Sequence, residues 1–548
     1  MELLRELTAL QHQRGYLDEQ TLRDLSERRN VPLYRLQGLV SFYPHFRTTP
    51  PPRACVHLCR DVSCALAGAA DNTAKLSQAL AGRDDVEIHE VSCLGRCDSA
   101  PAIAINDVPI PAEMRQDFAA LLGLIDDPSP LSTHSTQTPA QTPRRWKCDP
   151  YSDPESRYGT VRKLIASGVD LSSHCPEQLK ASGLRGMGGA GFPTGTKWSL
   201  VAQERSPVKY VVLNADESEP GTFKDRLILE ELPHLVIEGM LLAGLTIGAA
   251  QGIIYIRHEY APELRAVERE LARAREAGVL GENAAGSGKR FDIEVFISPG
   301  GYILGEETAL LEALEEQRGE PRNKPPYPGT HGLWGKPTLI NNVETMAMAA
   351  SILHHGPEWW RAQGEGDFAG LKFISISGDV AHPGVYEIPV GISVRELIER
   401  AGGMRDGKPL LAFLPGGASS NFLPADRADT PLDFVAMQQA GSMLGSGAVI
   451  VIAEGRDLFA LATNLVRFFR NESCGKCVPC RVGSNKAVQL LEEVAAGTLS
   501  PAELQMLPEL GETLTQTSIC GLGQVALNPI LSMMKQFPAE IPKSLTPH

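Results

Sequence analysis

The sequence GLRGMGGAGFPTGTKW, at residues 183–198, contains six glycines, and its interpretation decides which fold is predicted for the domain around it. Gly186, Gly188 and Gly191 match the spacing G-x-G-x-x-G, which in a Rossmann fold follows a buried strand. The preceding residues, PEQLKASGLR, are polar and predict a helix, so the Rossmann interpretation is not favoured. We instead predict a loop whose N–H groups approach a phosphate, with Lys197 as the counter-charge.

A flexible surface loop is the alternative interpretation of this run, and its large side chains count against it. Phe192, Pro193 and Trp198 are unusual in a segment that is merely flexible. Beyond the loop, predicted helices alternate with three apolar runs that predict strands, VKYVVLN, GIIYIR and FDIEVFI. This alternation predicts an α/β domain over residues 149–366.

Three further polar loops lie in the same domain. The segment NADESEPGTFKDR follows a predicted strand, where ligands usually bind in an α/β fold, although a helix cap within a solvated acidic turn is the alternative. The segment PGGYILGEETALLEAL leads from a glycine turn into a helix. The segment GEPRNKPPYPGTHGLWGKPTLINNVET is predicted to be a long loop, and loops of this length usually have a function. Four such loops predict a large phosphate-bearing cofactor with a second ligand beside it. Their candidate residues are Asn214, Asp216, Glu219, Glu306, Glu307, Lys324, Tyr327, Asn341 and Asn342.

The C-terminal cysteines carry the most specific metal signal. Cys474, Cys477 and Cys480 follow the spacing C-x2-C-x2-C in ESCGKCVPCR, and Cys520 lies forty residues further on. A cubane iron–sulfur cluster needs four thiolates, and this spacing is a familiar way to supply them. Tetrahedral zinc is the alternative, but it usually takes two separated C-x2-C pairs. We therefore predict a [4Fe–4S] cluster.

A second cysteine group lies near the N-terminus. Cys59 and Cys64 form one pair and Cys93 and Cys97 another, with a predicted helix between them. Two short-range pairs suit either a [2Fe–2S] cluster or zinc, and the spacing alone favours iron–sulfur only slightly. The three remaining cysteines are interpreted as structural, namely Cys55, Cys148 and Cys175.

Composition excludes several classes of protein. The chain has 548 residues, and 52 basic against 66 acidic side chains give a net charge of −14, which argues against nucleic acid as a partner. The apolar stretch Leu235–Ile254 contains Glu238 and Gln251, so we expect a buried helix and no direct membrane insertion. No secretory signal is evident at the N-terminus, and clustered cysteines favour metal ligation in a reducing compartment, so we expect a cytoplasmic protein.

Taken together, GLRGMGGAGFPTGTKW, NADESEPGTFKDR, GEETALLEALEEQRGEPRNKPPYP, NNVET and ESCGKCVPCR resemble the flavoprotein subunit of respiratory complex I and its soluble relatives. The resemblance spans about residues 150–548. Residues 1–125 resemble the companion [2Fe–2S] subunit, most closely in VSCLGRCDSAP. The companion-subunit resemblance implies a helical lead at 1–50 and a thioredoxin-like [2Fe–2S] domain at 51–125, which a linker at 126–148 joins to the rest. The flavoprotein resemblance implies an α/β FMN- and NADH-binding domain at 149–366, a ubiquitin-like α+β module at 367–455 and a C-terminal helical-bundle [4Fe–4S] domain at 456–548.

The resemblance also implies roles for individual residues. The FMN phosphate side would be lined by Gly186, Gly188, Gly189, Gly191 and Lys197, while the flavin would be held by Asn214, Asp216, Asn341 and Asn342. Phe192 and Tyr327 would stack on the NADH adenine, and Glu219 and Lys324 would contact its ribose or base. Glu306 and Glu307 would lie near the nicotinamide, and Tyr302 joins the cofactor-binding set. The resemblance favours [2Fe–2S] over zinc at the N-terminal cysteines.

Three positions depart from the pattern of many relatives. Met187 stands in place of arginine, Leu200 in place of a second aromatic residue and Leu304 in place of cysteine. The loss of the aromatic residue should weaken stacking on adenine. None of the three changes removes a residue that the chemistry requires.

The resemblance implies a diaphorase, which passes electrons between NAD(H), FMN and iron–sulfur clusters within a larger complex. We expect hydride transfer at FMN, with no side chain acting as a general acid or base. LPGGASSNFLPA, TPLDF and SICGLGQ most resemble β subunits of NAD-dependent formate dehydrogenase, whose catalytic α subunit carries a molybdenum or tungsten pterin. An NAD-reducing hydrogenase and complex I are the alternatives, and a zinc-stabilised scaffold is the non-enzymatic one.

Overall fold

A computed structural model describes residues 2–129, 131 and 144–542. Most of the predicted linker at 126–148 therefore lies outside the described residues. The chain begins with three helices, Glu2–Arg14, Glu19–Arg29 and Leu33–Phe42. Asp18 caps the second helix by accepting the Thr21 N–H at 2.7 Å, and Asn30 ends it in a left-handed conformation.

The first sheet has the strand order β2-β1-β3-β4. Its strands are β1 Ala54–Cys59, β2 Val86–Val91, β3 Ile103–Ile105 and β4 Val108–Pro109. Strand β1 is parallel to β2 and antiparallel to β3. Its alternate residues Ala54, Val56 and Leu58 are buried against helical side chains such as Leu76 and Leu121. The accompanying helices are Val62–Leu66, Ala69–Ala79, Ala112–Gln116 and Phe118–Asp126.

The second sheet is fully parallel, with the order β7-β6-β5-β8. Its strands are β5 Tyr210–Ala215, β6 Gln251–Arg257, β7 Asp292–Ser298 and β8 Thr338–Asn342. Alternate residues of β5 enter different cores, so both faces of the sheet are covered, as parallel sheets require. The surrounding helices are Gly159–Ala166, Leu171–Ser182, Thr194–Gln203, Lys224–Glu231, Pro233–Ile247, Ala261–Glu276, Glu307–Leu314, Pro328–His331, Val343–His355 and Pro357–Arg361.

The third sheet is mixed, with the order β10-β9-β13-β11-β12. Its strands are β9 Leu371–Gly378, β10 Gly384–Pro389, β11 Leu410–Leu414, β12 Leu423–Pro424 and β13 Ala448–Ala453. Helices Val394–Arg400 and Phe434–Gln439 accompany it, and Ser393 with Glu396 forms a capping box at the first of them. The C-terminal region is helical, with segments Leu458–Asn471, Pro479–Gly483, Ser484–Ala495, Leu507–Thr517, Gly521–Val525 and Asn528–Gln536.

The predicted multi-domain α/β and α+β class is confirmed by this order of elements. Two local predictions were wrong. The apolar stretch Leu235–Ile254 is not one helix, because the helix ends at Ile247, where Gly248 adopts φ +77°, and β6 begins at Gln251. Asn341 and Asn342 lie at the end of strand β8 and not in a loop. Within the described ranges no helix is both long and apolar enough to cross a bilayer.

Candidate functional site

Two neighbouring strands of the parallel sheet end in the predicted polar residues. Strands β5 and β8 pair so that Asn214 lies opposite Asn342, and Leu213 lies opposite Asn341. The carboxyl ends of parallel strands form the usual ligand crevice of an open α/β sheet. Asn214 donates its amide to the Gly305 carbonyl at 2.8 Å, and Asn342 caps the helix Val343–His355 by accepting the Glu344 N–H at 2.9 Å. The predicted residues of two loops are therefore brought together at one edge.

The glycine-rich loop folds back onto this edge as a narrow hairpin. The Gly186 N–H donates to the Phe192 carbonyl at 2.9 Å, and a bridge joins Arg185 to Pro193. Gly191 has φ +62°, which favours glycine. A Cβ atom at Gly188 would lie 3.0 Å from the Asn342 Cβ. The absence of side chains thus lets this backbone come within contact distance of the strand end.

Lys197 and Lys324 share a carboxylate at the start of helix Glu307–Leu314. Glu307 lies 3.4 Å from the Lys197 ammonium and 3.0 Å from that of Lys324. Lys324 also contacts Glu306 at 2.8 Å, while the other oxygen of Glu306 caps the helix. Burial alone would raise the pKa of Glu307, but the two ammonium groups outweigh it and hold this pKa below its ordinary value. Glu307 is therefore ionised at neutral pH.

Glu219 is held by partners from two distant segments. Its carboxylate accepts the Ser419 N–H at 2.7 Å and hydroxyl at 2.5 Å, and the Tyr302 hydroxyl at 2.5 Å. Burial raises the pKa of Glu219 in spite of these donors. Lys324, which the sequence resemblance groups with Glu219, instead forms ion pairs with Glu306 and Glu307. The two residues therefore have no common partner among these contacts.

Two of the predicted aromatic residues are open to solvent. Phe192 is 49% exposed and Tyr327 is 60% exposed, whereas large aromatic side chains are normally covered. Leu200, on the helix that follows the glycine-rich loop, is 54% exposed. Because a methyl group at Gly329 would lie 3.4 Å from Val201, the Tyr327 loop packs beside the helix that follows the glycine-rich loop. These exposed faces are available to stack on a flat ligand.

The strand-end region fits a flavin phosphate cofactor by three observations. The Oδ1 atom of Asp216, the residue that directly follows strand β5, is buried and lacks a partner among the described residues. A Cβ atom at Gly305 would lie 3.2 Å from the Asp216 carbonyl oxygen. Burial raises the pKa of Asp216 to about 7, against the opposing charge of Arg257. Unsatisfied polar atoms beside a glycine-lined cradle are what a hydrogen-bonding cofactor would complete.

Sequence reasoning missed a buried charge network beneath the strand ends. Lys224 lies 2.7 Å from Asp225 and 2.9 Å from Glu344, and Lys372 of β9 lies 3.1 Å from Glu344. Burial would lower the pKa of Lys224, but its carboxylate partners outweigh burial and raise it. Lys224 and Asp225 lie in NADESEPGTFKDR and Glu344 lies in NNVET, whereas Lys372 lies in no quoted segment. No local pattern links these segments, so only the fold could reveal their convergence.

Thr345 and Ser419 were also missed. The Thr345 hydroxyl accepts the Met187 N–H at 2.9 Å and so fixes the glycine-rich loop, while Ser419 holds Glu219. Thr345 is the last residue of NNVET, which is the one signal that could have indicated it. Ser419 lies two hundred residues from its partner, and no local pattern connects them.

The four C-terminal cysteines converge on one cavity. Cys474, Cys477, Cys480 and Cys520 line it together with apolar residues, among them Ile303, Pro321, Ile519 and Leu522. Gly475 adopts φ +78° at the turn of the cysteine loop, and Lys476 donates to the Pro321 carbonyl at 2.7 Å. Burial raises the pKa of Cys480 to about 11 and that of Cys520 to about 12. Four thiols around a largely apolar cavity fit a cubane cluster.

The four N-terminal cysteines form a second buried group. The sulfur atoms of Cys93 and Cys97 lie 3.4 Å apart, and the thiol of Cys59 hydrogen-bonds to Cys64 and Cys93. Backbone N–H groups also reach this group, from Gly95 to Cys93 at 3.4 Å and from Ala102 to Cys64 at 3.3 Å. Hydrogen bonds from Cys59 and Cys97 hold the pKa of Cys93 well below its ordinary value. N–H donors that stabilise thiolate charge suit an iron–sulfur centre.

The three cysteines interpreted as structural are buried free thiols. Cys148 and Cys175 lie in the core beside the parallel sheet. Cys55 lies on β1 and contacts Arg47, with 3.0 Å between Sγ and the guanidinium.

Comparisons with known proteins identify relatives of this chain. Family models match at residues 1–125 (thioredoxin-like [2Fe-2S] ferredoxin), 179–351 (Nuo51 FMN-binding domain), 373–421 (SLBB domain) and 460–544 (NADH-ubiquinone oxidoreductase-F iron-sulfur binding region). The F 2 subunit of the NADH-quinone oxidoreductase of Rhizobium meliloti (strain 1021) is 44% identical over 384 residues, 70% of this chain and 91% of the relative. The HndC subunit of the NADP-reducing hydrogenase of Solidesulfovibrio fructosivorans is 42% identical over 363 residues, 66% of this chain and 74% of the relative.

Among solved structures, a chain of NAD+-reducing [NiFe]-hydrogenase in the H2-reduced state is similar, with a TM-score of 0.84 and 34% identity. The similarity covers 99% of this chain and 92% of that chain. Fold and site therefore define an iron–sulfur flavoprotein that transfers electrons to or from NAD(H). The chain belongs to the family of the F subunits of NADH-quinone oxidoreductases. Its cofactors are FMN, a [4Fe–4S] cluster and a [2Fe–2S] cluster, so the predicted cofactors are confirmed and zinc is not supported as the metal of the two cysteine groups.

Proposed function

We propose that this chain is the diaphorase subunit of an NAD-dependent formate dehydrogenase. The observation that carries the diaphorase part is the connection of Tyr302, whose hydroxyl holds Glu219, to the segments of both cysteine groups through Glu472. This carboxylate accepts the Tyr302 N–H at 3.0 Å and the hydroxyl of Ser92, which immediately precedes Cys93. Glu472 itself stands two residues before Cys474. One carboxylate thus joins Tyr302 to the segments that carry both cysteine groups.

FMN, when bound, exchanges a hydride with the nicotinamide and single electrons with iron–sulfur clusters. In our proposal its flavin is held by Asn214, Asp216, Asn341 and Asn342, and its phosphate side is lined by Gly186, Gly188, Gly189, Gly191 and Lys197. The orphaned Asp216 Oδ1 atom and the glycine cradle support this placement. The eight cysteines would ligate the clusters, as Cys59, Cys64, Cys93 and Cys97 in one and Cys474, Cys477, Cys480 and Cys520 in the other.

The nucleotide substrate would lie across the open side of the same edge. The exposed rings of Phe192 and Tyr327 would stack on the adenine, and Glu219 and Lys324 would contact the ribose or base. Glu306 and Glu307 would lie near the nicotinamide, with Tyr302 fixing Glu219. Because hydride transfer at a flavin needs no side-chain proton donor, these residues bind and orient the substrate and none acts as a general acid or base.

The formate part of the proposal rests on three segments, one of which contacts Glu219. Residues 414–425, LPGGASSNFLPA, include Ser419, which donates to Glu219 and whose carbonyl accepts the Asn528 amide at 3.1 Å. TPLDF at 430–434 and SICGLGQ at 518–524 are the other two segments that resemble formate dehydrogenase β subunits. The partner would be an α subunit with a molybdenum or tungsten pterin and further iron–sulfur clusters. A cytoplasmic location belongs to the proposal, because eight of the eleven cysteines would ligate clusters and none of the eleven, all within the described ranges, forms a disulfide.

Purification of the native complex through an affinity tag on this chain tests the proposal. We expect molybdenum or tungsten in the complex, together with NAD+ reduction that depends on formate. A complex with nickel and hydrogen-dependent NAD+ reduction would refute the formate assignment and leave the diaphorase assignment intact. Lack of flavin and of bleachable iron–sulfur absorption in the chain would refute both.

The second candidate is the diaphorase of an NAD-reducing hydrogenase. It is favoured by one observation, the similarity to a hydrogenase chain over 99% of this chain, which includes the N-terminal [2Fe–2S] region. The same purification separates the two candidates through the metal of the partner.

A further inference from the structure

One face of the N-terminal sheet carries metal-ligating side chains that the two clusters do not use. Strands β1 and β2 are parallel, with Cys55 opposite Glu87 and His57 opposite His89. Their intervening residues, such as Val56, enter the helix-covered core. Because side chains alternate along a strand, these four side chains project from the other face as two adjacent pairs.

Three of these side chains are already close together. The Cys55 Sγ atom, a Glu87 carboxylate oxygen and a His89 ring nitrogen all lie within 4.8 Å of one another. The His89 Nε2 atom and the Glu87 carboxylate are 2.9 Å apart. The His57 and His89 ring centroids are separated by 5.8 Å, so His57 stands at the margin of the group. Small rotamer changes would bring all three ligand atoms onto a single ion.

A cation already occupies the space between two of the ligands. The Arg47 guanidinium lies 3.0 Å from the Cys55 Sγ atom and 2.8 Å from the Glu87 carboxylate. The side chain of Arg47 is 27% exposed, and it is long enough to swing into solvent. The thiol and carboxylate are therefore arranged around positive charge, and a metal ion would compete with the guanidinium for them.

We propose that Cys55, Glu87 and His89 bind a divalent transition-metal ion of the zinc class, with His57 as the nearest further ligand. One sulfur, one nitrogen and one oxygen donor form a set that zinc accepts and that magnesium and calcium do not. The site is distinct from the [2Fe–2S] ligands, although Cys59 lies on the same strand two residues beyond His57. Arg47 acts as the competing cation in the metal-free protein.

The test uses the full-length chain with both clusters and FMN intact, and zinc chloride as the probe. Equilibrium dialysis with metal analysis measures zinc and iron together, and X-ray absorption at the zinc edge reports the ligands. The variants are His89→Gln, whose side chain is 47% exposed in the wild type, and Cys55→Ser. Glu90→Gln is the matched control, because Glu90 is exposed on the same strand but faces the opposite side. Arg47→Gln removes the competing cation.

We expect roughly one zinc ion per chain without loss of iron, one sulfur ligand at about 2.3 Å and nitrogen or oxygen ligands at about 2.0 Å. Zinc affinity should fall at least about tenfold in His89→Gln and Cys55→Ser, stay unchanged in Glu90→Gln and rise in Arg47→Gln. Equal affinity in wild type and His89→Gln would show an adventitious ion only and overturn the proposal. Zinc with several sulfur ligands and a parallel loss of iron would place it in the cluster sites and overturn it as well.

Discussion

The Tyr302 hydroxyl donates a hydrogen bond to the Glu219 carboxylate at 2.5 Å, while the Tyr302 ring packs edge-on against Phe468, with 4.9 Å between the ring centroids. Phe468 belongs to the helix Leu458–Asn471, which ends just before the cysteine loop. One side chain therefore links the proposed nucleotide-contacting carboxylate to the helix that leads into the [4Fe–4S] ligands. A displacement of Glu219 should therefore shift the cysteine loop, and a displacement of the cysteine loop should shift Glu219.

Tyr302→Phe should weaken NADH binding and destabilise the chain. Glu219 would lose one donor while remaining buried, which costs about 1–3 kcal/mol for a charged acceptor. Steady-state kinetics with NADH and ferricyanide should show a raised KM, and the unfolding midpoint should fall. Tyr386→Phe is the control, because its hydroxyl donates to the His382 carbonyl on an exposed surface. Wild-type values of both quantities in Tyr302→Phe would contradict the role of this hydrogen bond.

Lys324→Gln should raise the KM for NADH, because Lys324 is proposed to contact its ribose or base, and should lower the stability of the chain at neutral pH. Lys324 helps to hold the pKa of Glu307 low, so its removal lets that pKa rise. Stability from a depressed carboxyl pKa is present above the unfolded-state pKa and is lost as pH falls through the folded-state value. The variant should therefore retain less of this stability at neutral pH. Lys336→Gln, an exposed lysine beyond the same loop, should change neither KM nor this stability.

Gly188→Ala should release FMN. Its Cβ atom would lie 3.0 Å from the Asn342 Cβ and push the glycine-rich loop away from the strand end. Flavin content after gel filtration measures the effect. Gly38→Ala, in a helix where no neighbour lies within 4 Å, should keep its flavin and gain about 0.5–1 kcal/mol of stability. Full flavin occupancy in Gly188→Ala would argue against this placement of the cofactor.

Cys477→Ala should remove the [4Fe–4S] cluster and leave flavin reduction by NADH in place. Iron content should fall by about four atoms per chain, because the cubane loses one of four thiolates. Stopped-flow absorption at the flavin band and electron paramagnetic resonance of the clusters separate the two effects. Cys175→Ala, a buried thiol beside the parallel sheet, should keep all the iron. Unimpaired electron delivery to the partner subunit in Cys477→Ala would contradict the proposed path.

Glu238→Gln should flatten the decline of stability with pH. Burial raises the pKa of Glu238 to about 7, so between about pH 4.5 and 7 the folded chain binds more protons than the unfolded chain. The contribution of Glu238 to the free energy of unfolding is therefore complete below the unfolded-state pKa and is lost as the pH rises through 7. The contribution is on the order of 3 kcal/mol at 1.36 kcal/mol per pKa unit.

Unfolding midpoints measured from pH 5 to pH 8 test this prediction. Burial gives Asp216 and Glu217 raised pKa values too, so some slope should remain in the variant. The exposed Glu358 offers the control, and Glu358→Gln should keep the wild-type slope. An unchanged slope in Glu238→Gln would show that this carboxyl does not titrate in the window.

Strands and loops could be predicted where the signal is local. The run VKYVVLN contains the continuous apolar segment YVVL, so β5 and the polar residues after it were found from the sequence. Strand β8 was missed because its five residues, TLINN, follow a long glycine- and proline-rich segment and end in two polar side chains. Its neighbours in the sheet, and not its composition, make it a strand.

The partners of the site residues could not be predicted in the same way. Glu219 was a candidate from its loop, but Tyr302 and Ser419, which hold it, lie 83 and 200 residues away. Motif spacing carries the identity of ligands such as the cysteines, because one loop supplies three of them. Motif spacing does not reveal which charged side chains from different domains will contact one another, as Lys372 and Glu344 do.

The ion pair between Lys372 and Glu344 has a consequence for dissecting the protein. Lys372 belongs to the mixed sheet, yet its ammonium is buried against a helix of the parallel-sheet domain, with only 1% of the side chain exposed. Excision of the mixed sheet would remove Lys372 and leave Glu344 and Lys224 with an unbalanced charge in the interior. Loss of one partner of a buried ion pair lowers the free energy of unfolding by about 3–5 kcal/mol. The boundary visible in the sequence is therefore not a place to cut, and truncated flavin domains made there should be insoluble or devoid of flavin.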